Sequence, residues 1–404
     1  MTVRTIVIGG GAAGFFAAIS IAARHPEWEV TILERGKNVL EKVRISGGGR
    51  CNVTHACWDP AELIKFYPRG SRELLGPFHK FACGDTMGWF GDRGVDLKIE
   101  DDGRVFPESD RSQTIIDCLW QEARRLGVRV INGVRVDKLT APASPPDEWT
   151  VHAGQQTYAA HRLVVTTGSN PAVWKVLENI GHTVVDPVPS LFAFNIKDPR
   201  LSGLAGISLP WVELHTDGDK LPAEGPLLIT HKGLSGPAVL RLSAWGARQL
   251  HPLKYDFELS VNWVVRRPED VLDYLDRVSF DRARRQISKH PCFELPARLW
   301  QMMVRTAGIP DDQQWAHLSS DQLKRLVDEL TDGRYRVRGK ATNKDEFTTA
   351  GGVDLREVDF RSFRSKLHPT LYLAGEVLDV DAITGGFNFQ AAWTGGWLIG
   401  AGID

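Results

Sequence analysis

Gly9-Gly10-Gly11-Ala12-Ala13-Gly14 near the start of the chain, and Gly375-Glu376 with Gly385-Gly386-Phe387-Asn388 near its end, combine residue types and spacings that can do chemistry. Gly9, Gly11 and Gly14 form GxGxxG. In that pattern the first glycine permits a tight turn, the second lets the backbone approach a pyrophosphate, and the third lets a helix pack close to a strand. The free N–H groups and positive dipole end of the helix then face the phosphates. Glu34 lies 20 positions after Gly14, where a carboxylate accepts from ribose hydroxyls and disfavours a 2′-phosphate. At the other end, the apolar run Leu371–Ala374 delivers Glu376 at the carboxyl edge of a strand, where open α/β sheets bind ligands. An acid there takes a ribityl hydroxyl in flavin folds, and a helix starting at Gly386 can stabilise negative charge on a flavin pyrimidine edge. Two nucleotide-type signatures at opposite ends predict one FAD held by both ends of a single domain.

A second glycine cluster, Ser46-Gly47-Gly48-Gly49-Arg50-Cys51-Asn52, permits positive φ and exposes backbone N–H groups to a ring or phosphate. Gly48, Gly49, Arg50 and Asn52 are its candidate cofactor contacts. Cys51 is either a proton donor or redox partner, with a pKa lowered by Arg50, or a small packed filler. His231, in Thr230-His-Lys-Gly-Leu-Ser-Gly-Pro237, is either a general acid or substrate anchor, or a surface turn residue. Asp379 and Asp381 follow Glu376; one is expected to reach the active site and the other to be solvated. HExxH, GxSxG, P-loop and CxxC patterns are absent, so no metal is expected. The five cysteines read as reduced thiols of a cytoplasmic protein.

Elements must position these residues. Thr5–Ile8 reads as a buried parallel strand, Ala12–Arg24 as a helix, and Glu29–Leu33 as a second strand, which is the βαβ context that GxGxxG requires. Gln113–Leu126 reads as a helix feeding a strand at Val128–Ile131. Trp149–Val151 and Gln156–Tyr158 read as an antiparallel ribbon, and Leu163–Thr167 as a buried strand ending at Gly168. After Asp186-Pro187 come strand-like runs at Leu191–Ile196, Trp211–His215, Leu227–Ile229 and Tyr255–Val261. Pro268–Leu330 has helical spacing, with Ser320 as an N-cap ahead of Leu323, Leu326, Val327 and Leu330. A last helix is expected near Ala391–Ile399. The economical architecture is a nucleotide domain split by an inserted β-plus-helical region. At 404 residues the chain is long enough for two or three domains, and a formal net charge of −1 gives no global attraction to nucleic acid or membrane. No apolar run approaches the about 18 residues needed for a membrane span.

These blocks resemble one bacterial flavoprotein family, variously called YhiN-like, BaiN/RdsA-like or aminoacetone oxidase-like. The resemblance rests on GGGAAG, Lys42 with Ile45-Ser-Gly-Gly-Gly-Arg-Cys-Asn52, Gly103-Arg-Val-Phe-Pro107, Thr230–Pro237, Gly351-Gly-Val353, and Gly375-Glu-Val-Leu-Asp-Val380 through Asn388. It implies an α/β fold with a Rossmann-like FAD-binding domain formed by both chain ends, an inserted β-barrel-like domain and a helical subdomain. It carries Gly11, Glu34, Gly48, Asn52, Gly375, Glu376, Gly386 and Asn388 over as FAD contacts, with Val134 at a position whose backbone touches adenine. The expected contact set is completed by Gly9, Ala13, Gly14, Lys42, Thr167, Gly168, Asp379 and Phe387. Members of the family are assigned to small-amine oxidation, reduction of a steroid double bond and reduction of a ribosomal RNA uridine. Typical members carry a longer glycine-rich loop after the strand ending at Thr167; here Gly168-Ser-Asn-Pro171 passes directly into a helix, consistent with a separate subfamily.

The expected domains are 1–188 with 345–404 for FAD, 189–266 for the β-rich insert, and 267–344 for the helical subdomain and return segment. The expected function is an FAD-dependent oxidoreductase, with NAD(P)H-driven reduction of a C=C bond and ribosomal RNA uridine as the leading substrate. The alternatives are an FAD-dependent oxidase of a small amine or other metabolite, and a non-catalytic FAD-binding sensor or assembly protein. No second GxGxxG of comparable quality exists, so NADH or NADPH would visit the substrate cleft transiently. The partner is accordingly a small-molecule substrate or ribosomal RNA, with no membrane. Segment 266–340 holds 15 Lys/Arg against 12 Asp/Glu. Its clusters Arg282/Arg284/Arg285/Lys289 and Arg334/Arg336/Arg338/Lys340 form either an RNA-binding stripe or solvated faces.

Overall fold

Ile6, Val7 and Ile8 are branched, apolar and buried, and they build the central strand β1 (Arg4–Ile8). A sharp glycine turn leads into α1 (Ala12–Arg24), and the chain returns through β2 (Glu29–Glu34) parallel to β1. The strand Arg162–Val165 pairs parallel to the other side of β1, and Leu371–Leu373 pairs parallel to that strand. A seven-stranded sheet results, in the order Val358–Asp359, Arg364–Ser365, Leu371–Leu373, Arg162–Val165, β1, β2, Arg129–Asn132. Both ends of the chain therefore supply strands of one sheet, with Arg162–Val165 between the last parallel strand and β1. This is the computed structural model of the chain, and it describes residues 2–143, 148–216, 223–341 and 348–404.

The first and last helices seal that arrangement. A Cβ on Gly396 would lie 2.8 Å from Ala17 N, and one on Gly400 would lie 2.4 Å from Ser20 Cβ. Only glycine lets the last helix, Phe387–Gly402, approach α1 this closely. The last helix is buried almost all round, as its continuous apolar composition requires.

The chain divides into two compact units, Met1–Pro187 with Thr348–Asp404, and Val188–Phe347. The 344/345 boundary expected from the sequence lies outside the described residues. The second unit contains a closed six-stranded barrel, in the order Phe194–Ile196, Gly233–Ser235, Ala223–Thr230, Ser208–Thr216, Asp256–Asn262, Gly333–Lys340. Gly333–Lys340 follows the helices in the chain and closes the barrel, pairing with Asp256–Asn262 on one side and Phe194–Ile196 on the other. Its alternating burial places Tyr335 and Val337 inward and Arg334, Arg336 and Arg338 outward. Helices Pro268–Asp281, Ala297–Thr306 and Ser320–Thr331 lie between the fifth and sixth barrel strands in sequence. Arg200 ties the barrel to the last of these helices: it pairs with Glu329 at 2.9 Å and Asp198 at 2.8 Å, with its guanidinium 4.1 Å from the Tyr335 ring centroid.

The fold class is the expected one, an α/β Rossmann-type domain built from both chain ends with a barrel and helices inserted. The N-cap of Ser320–Thr331 needs correction. Ser319, not Ser320, accepts from Gln322 N while Gln322 bonds back to Ser319 N. Adjacent serines make the one-residue slip, and the reciprocal bond to Gln322 decides it.

Candidate active site

A Cβ added to Gly14 would sit 1.9 Å from Gly9 O, and one on Gly9 would sit 2.6 Å from Thr166 O. These two glycines let the α1 turn lie directly on the sheet. Gly11, by contrast, has nothing within 4 Å of its Cβ position. Its open side is the space a pyrophosphate would take at the start of α1. Glu34 ends β2 and accepts from Gly10 N at 2.8 Å and Gly36 N at 2.6 Å. Each carboxylate oxygen takes one of these bonds and keeps a lone pair for a ribose hydroxyl. Val134 N–H donates to Glu34 O at 2.9 Å, which sets the Gly133–Val134 turn beside that acid.

The C-terminal acid meets the N-terminal part of the chain here. Glu376 Oε2 accepts from Lys42 Nζ at 2.5 Å. A Cβ on Gly168 would lie 3.6 Å from Glu376 Oε2 and 3.8 Å from Lys42 Nζ, so Lys42, Gly168 and Glu376 form one cluster. Gly375, at φ +76°, lies against Ala13, 3.2 Å from its Cβ position. Thr167 Oγ1 is enclosed without a hydrogen-bond partner, a polar atom that a ligand hydroxyl or phosphate oxygen would satisfy. The open Gly11, the spare acceptors of Glu34 and the orphaned Thr167 hydroxyl all fit an adenine dinucleotide. The shortened loop after Gly168 is a helix start: Asn170 caps Pro171–Asn179 by accepting from Ala172 N.

The glycine cluster ends a short helix in a run of left-handed residues: Gly47, Gly48 and Gly49 at φ 57°, 68° and 85°. Gly48 and Gly49 have open space at their Cβ positions. Asn52, with its amide oriented to suit its neighbours, donates to Thr54 O and accepts from Gly386 N, each at 3.0 Å. It thus binds the glycine loop to the start of the last helix. Arg50 pairs with Glu100 at 2.6 Å, and its guanidinium lies 3.8 Å from the Phe106 ring centroid. Cys51 is fully buried. Burial pushes its thiol up to about 12, against a smaller lowering by the Ser46 hydrogen bond. The expected lowering of that thiol by Arg50 is therefore corrected: Arg50 is committed to Glu100 and burial dominates.

Phe387 is buried and stacks on Phe66 at 4.3 Å and on His55 at 4.6 Å. Asn388 folds back on Ala382, accepting from its N–H at 2.9 Å and donating to its carbonyl at 3.1 Å. Asp379 and Asp381 are both buried, which corrects the expectation that one is solvated. Asp381 forms a bidentate pair with Arg69, so burial of its charge is compensated. His231 lies in the second unit, on the exposed turn between Ala223–Thr230 and Gly233–Ser235. Lys232 N–H donates to Thr230 Oγ1 in that turn.

Several residues at this site escape the sequence reading. Gln390 Oε1 accepts from Thr54 Oγ1 at 2.6 Å and Thr86 Oγ1 at 2.9 Å, below the surface of the last helix. Tyr67 donates to Phe387 O at 2.5 Å. His55 keeps Nδ1 buried without a partner, and burial lowers its pKa despite the Asp102 carbonyl. A Gln within the apolar run of the last helix, three residues after Phe387, was the one readable signal; the others are long-range contacts with no local pattern.

A flavin-type dinucleotide domain with an inserted barrel and a glycine-lined site makes this protein an FAD-dependent oxidoreductase. Residues 3–402 match the HI0933-like protein Rossmann domain, and the chain belongs to that family. It is 28% identical to the 3-dehydro-bile acid delta(4,6)-reductase of Clostridium scindens, covering 98% of each chain. It is 29% identical to the ribosomal RNA dihydrouridine synthase of Escherichia coli, covering 97% of this chain and 96% of that one. The ribosomal RNA dihydrouridine synthase of Haemophilus influenzae is 26% identical over 99% of this chain and 98% of the other. Among solved structures, a 3-ketosteroid-delta4-(5alpha)-dehydrogenase from Rhodococcus jostii shares the fold, with TM-score 0.52 and 14% identity over 98% of this chain and 96% of the other. No helix among the described residues is long and apolar enough to cross a membrane, and no metal-binding cluster occurs among them.

Proposed function

We propose that the chain uses NADH or NADPH to reduce a carbon–carbon double bond conjugated to a carbonyl, and that its substrate is a uridine of ribosomal RNA. The observation carrying this reading is the end-to-end match to relatives named as a bile acid delta(4,6)-reductase and a ribosomal RNA dihydrouridine synthase, names that both point to saturation of a carbon–carbon double bond. Saturating such a bond adds a hydride to one carbon and a proton to its neighbour. Bound FAD supplies the hydride route from nicotinamide to substrate. The protein's part is to hold, orient and protonate.

In this reading Gly9, Gly11, Ala13 and Gly14 receive the pyrophosphate, Glu34 the adenosine ribose, and the Val134 backbone the adenine. Glu376, fixed by Lys42, takes a ribityl hydroxyl beside Thr167, Gly168 and Gly375. Gly48, Gly49, Arg50 and Asn52 would border the ring, with Asp379 among the contacts, and the first turn of the last helix at Gly386–Asn388 would supply positive dipole to its pyrimidine edge. His231, exposed on its turn in the second unit, is the proposed substrate anchor. Cys51 is enclosed, with its thiol at about 12.

The test is expression in bacteria deleted for their own ribosomal RNA dihydrouridine synthase, followed by nucleoside mass spectrometry of ribosomal RNA. Restored dihydrouridine supports the reading. A silent chain that still reduces an unsaturated small ketone with NAD(P)H would move the substrate from RNA to a metabolite.

A further inference from the structure

Phe280 stands at the end of helix Pro268–Asp281 and is 87% exposed, more than any other large apolar side chain among the described residues. Four cations follow within nine positions: Arg282, Arg284, Arg285 and Lys289, all exposed. None of them makes an ion pair among the described residues. Elsewhere in this unit arginines find carboxylates: Arg267 with Asp270, Arg305 with Asp311, Arg334 with Glu258, and Arg336 with Asp256. The outward arginines of the closing barrel strand are thus largely neutralised, and the Phe280 turn is not. Asp281 is the one acid within 280–290.

The turn is held in place rather than loose. Ala316 N donates to Ala283 O at 2.9 Å, and Trp315 N to Arg285 O at 3.1 Å. Ile287 N donates to Gln313 O at 2.9 Å, while Ile287 O accepts from the buried Trp300 indole. Ile287 and Trp315 are themselves core residues. Directly beyond Gln313 and Gln314 opens a groove of about 740 Å³, lined by those two residues with His317, Ser319, Gln322 and Arg325. Its walls offer amide, hydroxyl, imidazole and guanidinium groups together with the carboxylates of Asp312 and Asp321, acceptors for the amino groups of base edges.

We infer that this surface binds single-stranded RNA, with a base stacked on Phe280, phosphates against Arg282, Arg284, Arg285 and Lys289, and base edges read in the adjoining groove. A single exposed ring amid unpaired cations is the recurrent platform for unstacked bases, because every base has a π-face and every nucleotide a phosphate. A bilayer would engage the ring and the cations but leave a polar groove unused. The inference rests on RNA being the substrate and assigns the place where the strand is gripped.

The experiment is anisotropy of a fluorescein-labelled, uridine-rich RNA 12-mer titrated with the full-length FAD-loaded protein, the Phe280→Ala variant and the Arg284→Glu/Arg285→Glu variant. Each is also assayed for NAD(P)H-driven reduction of a small quinone, which should be unchanged and shows that the flavin unit is intact. Phe280→Ala should weaken RNA binding about tenfold. The double variant should weaken it further and flatten the slope of log affinity against log salt by about 1.4, two phosphate contacts' worth on a single strand. RNA binding that is equal in all three proteins would overturn this surface while leaving the RNA substrate standing. No RNA binding by the parent protein would overturn both. Phe280-dependent binding to anionic vesicles without binding to RNA would replace RNA by membrane.

Discussion

Lys42 Nζ lies 2.5 Å from Glu376 Oε2, joining residues 334 positions apart in the chain. Lys42 follows the first βαβ unit, and Glu376 follows the last strand. Their pairing beside Gly168 is where the two halves of the flavin unit meet, and it fixes the carboxylate proposed to hold the ribityl chain.

That pair is expected to matter for cofactor binding and little for stability. The Lys42 side chain is 60% exposed, so the pair contributes about 0–1 kcal/mol to folding. Lys42→Met should shift the apo-protein's denaturation midpoint only slightly while weakening FAD binding several-fold. Fluorescence titration of FAD alongside urea denaturation measures both. A large stability loss with unchanged FAD affinity would make the pair structural.

Two glycines of one motif should behave oppositely. Gly14→Ala puts a methyl 1.9 Å from Gly9 O, so it should abolish soluble expression or lower Tm steeply. Gly11→Ala meets nothing in the protein, so the apo fold should melt normally while FAD binding is lost. Calorimetry of apo and FAD-loaded samples separates the two, and normal FAD retention by Gly11→Ala would displace the pyrophosphate from this turn.

The Arg69–Asp381 pair is buried, with side chains 10% and 0% exposed. Arg69→Met removes the cation paired with a buried carboxylate, and urea unfolding should show a loss on the order of 3–5 kcal/mol. Asp381→Asn with Arg69→Met should recover part of that loss.

How much of this was legible depends on range. GxGxxG and Glu34 declare themselves because the strand, turn, helix and acid sit within one local unit, and Glu376 declares itself through the apolar strand before it. One of Asp379 and Asp381 was expected to be solvated, yet both are buried; the partner that compensates Asp381, Arg69, is 312 positions away and leaves no local pattern. The Asn52–Gly386, Thr54–Gln390 and Phe66–Phe387 contacts are likewise products of tertiary folding. The closing barrel strand Gly333–Lys340 shows clean alternation, yet its outward arginines read as a charge cluster before they read as a strand. Exposure of Phe280 has no sequence signature, since an aromatic residue at a helix end is ordinarily buried.

Acid should loosen the flavin unit through His182 and Glu357. His182 Nδ1 lies 2.7 Å from Glu357 Oε2, and Nε2 lies 3.1 Å from Ser365 Oγ. Burial lowers the His182 pKa from 6.5, only partly opposed by Glu357. Burial works against ionisation of Glu357, but hydrogen bonds with Thr183 and His182 outweigh it and hold its pKa below 4.5. Both groups therefore bind fewer protons folded than unfolded. Their stabilisation is present above the unfolded values and lost as pH falls, first below about pH 6.5 and then below about 4.5. Denaturation midpoints should decline from pH 7 to pH 5 in the parent protein and decline less in His182→Asn. A flat parent profile would count against this linkage.

The most direct test of the account is anaerobic visible spectroscopy of the FAD-loaded protein during titration with NADH or NADPH. The flavin band should bleach, and its colour should return when an unsaturated carbonyl acceptor is added without oxygen. A flavin band that stays intact with both nucleotides would contradict a nicotinamide-driven reductase, and would favour an oxidase reduced by its own substrate or a flavin-binding sensor.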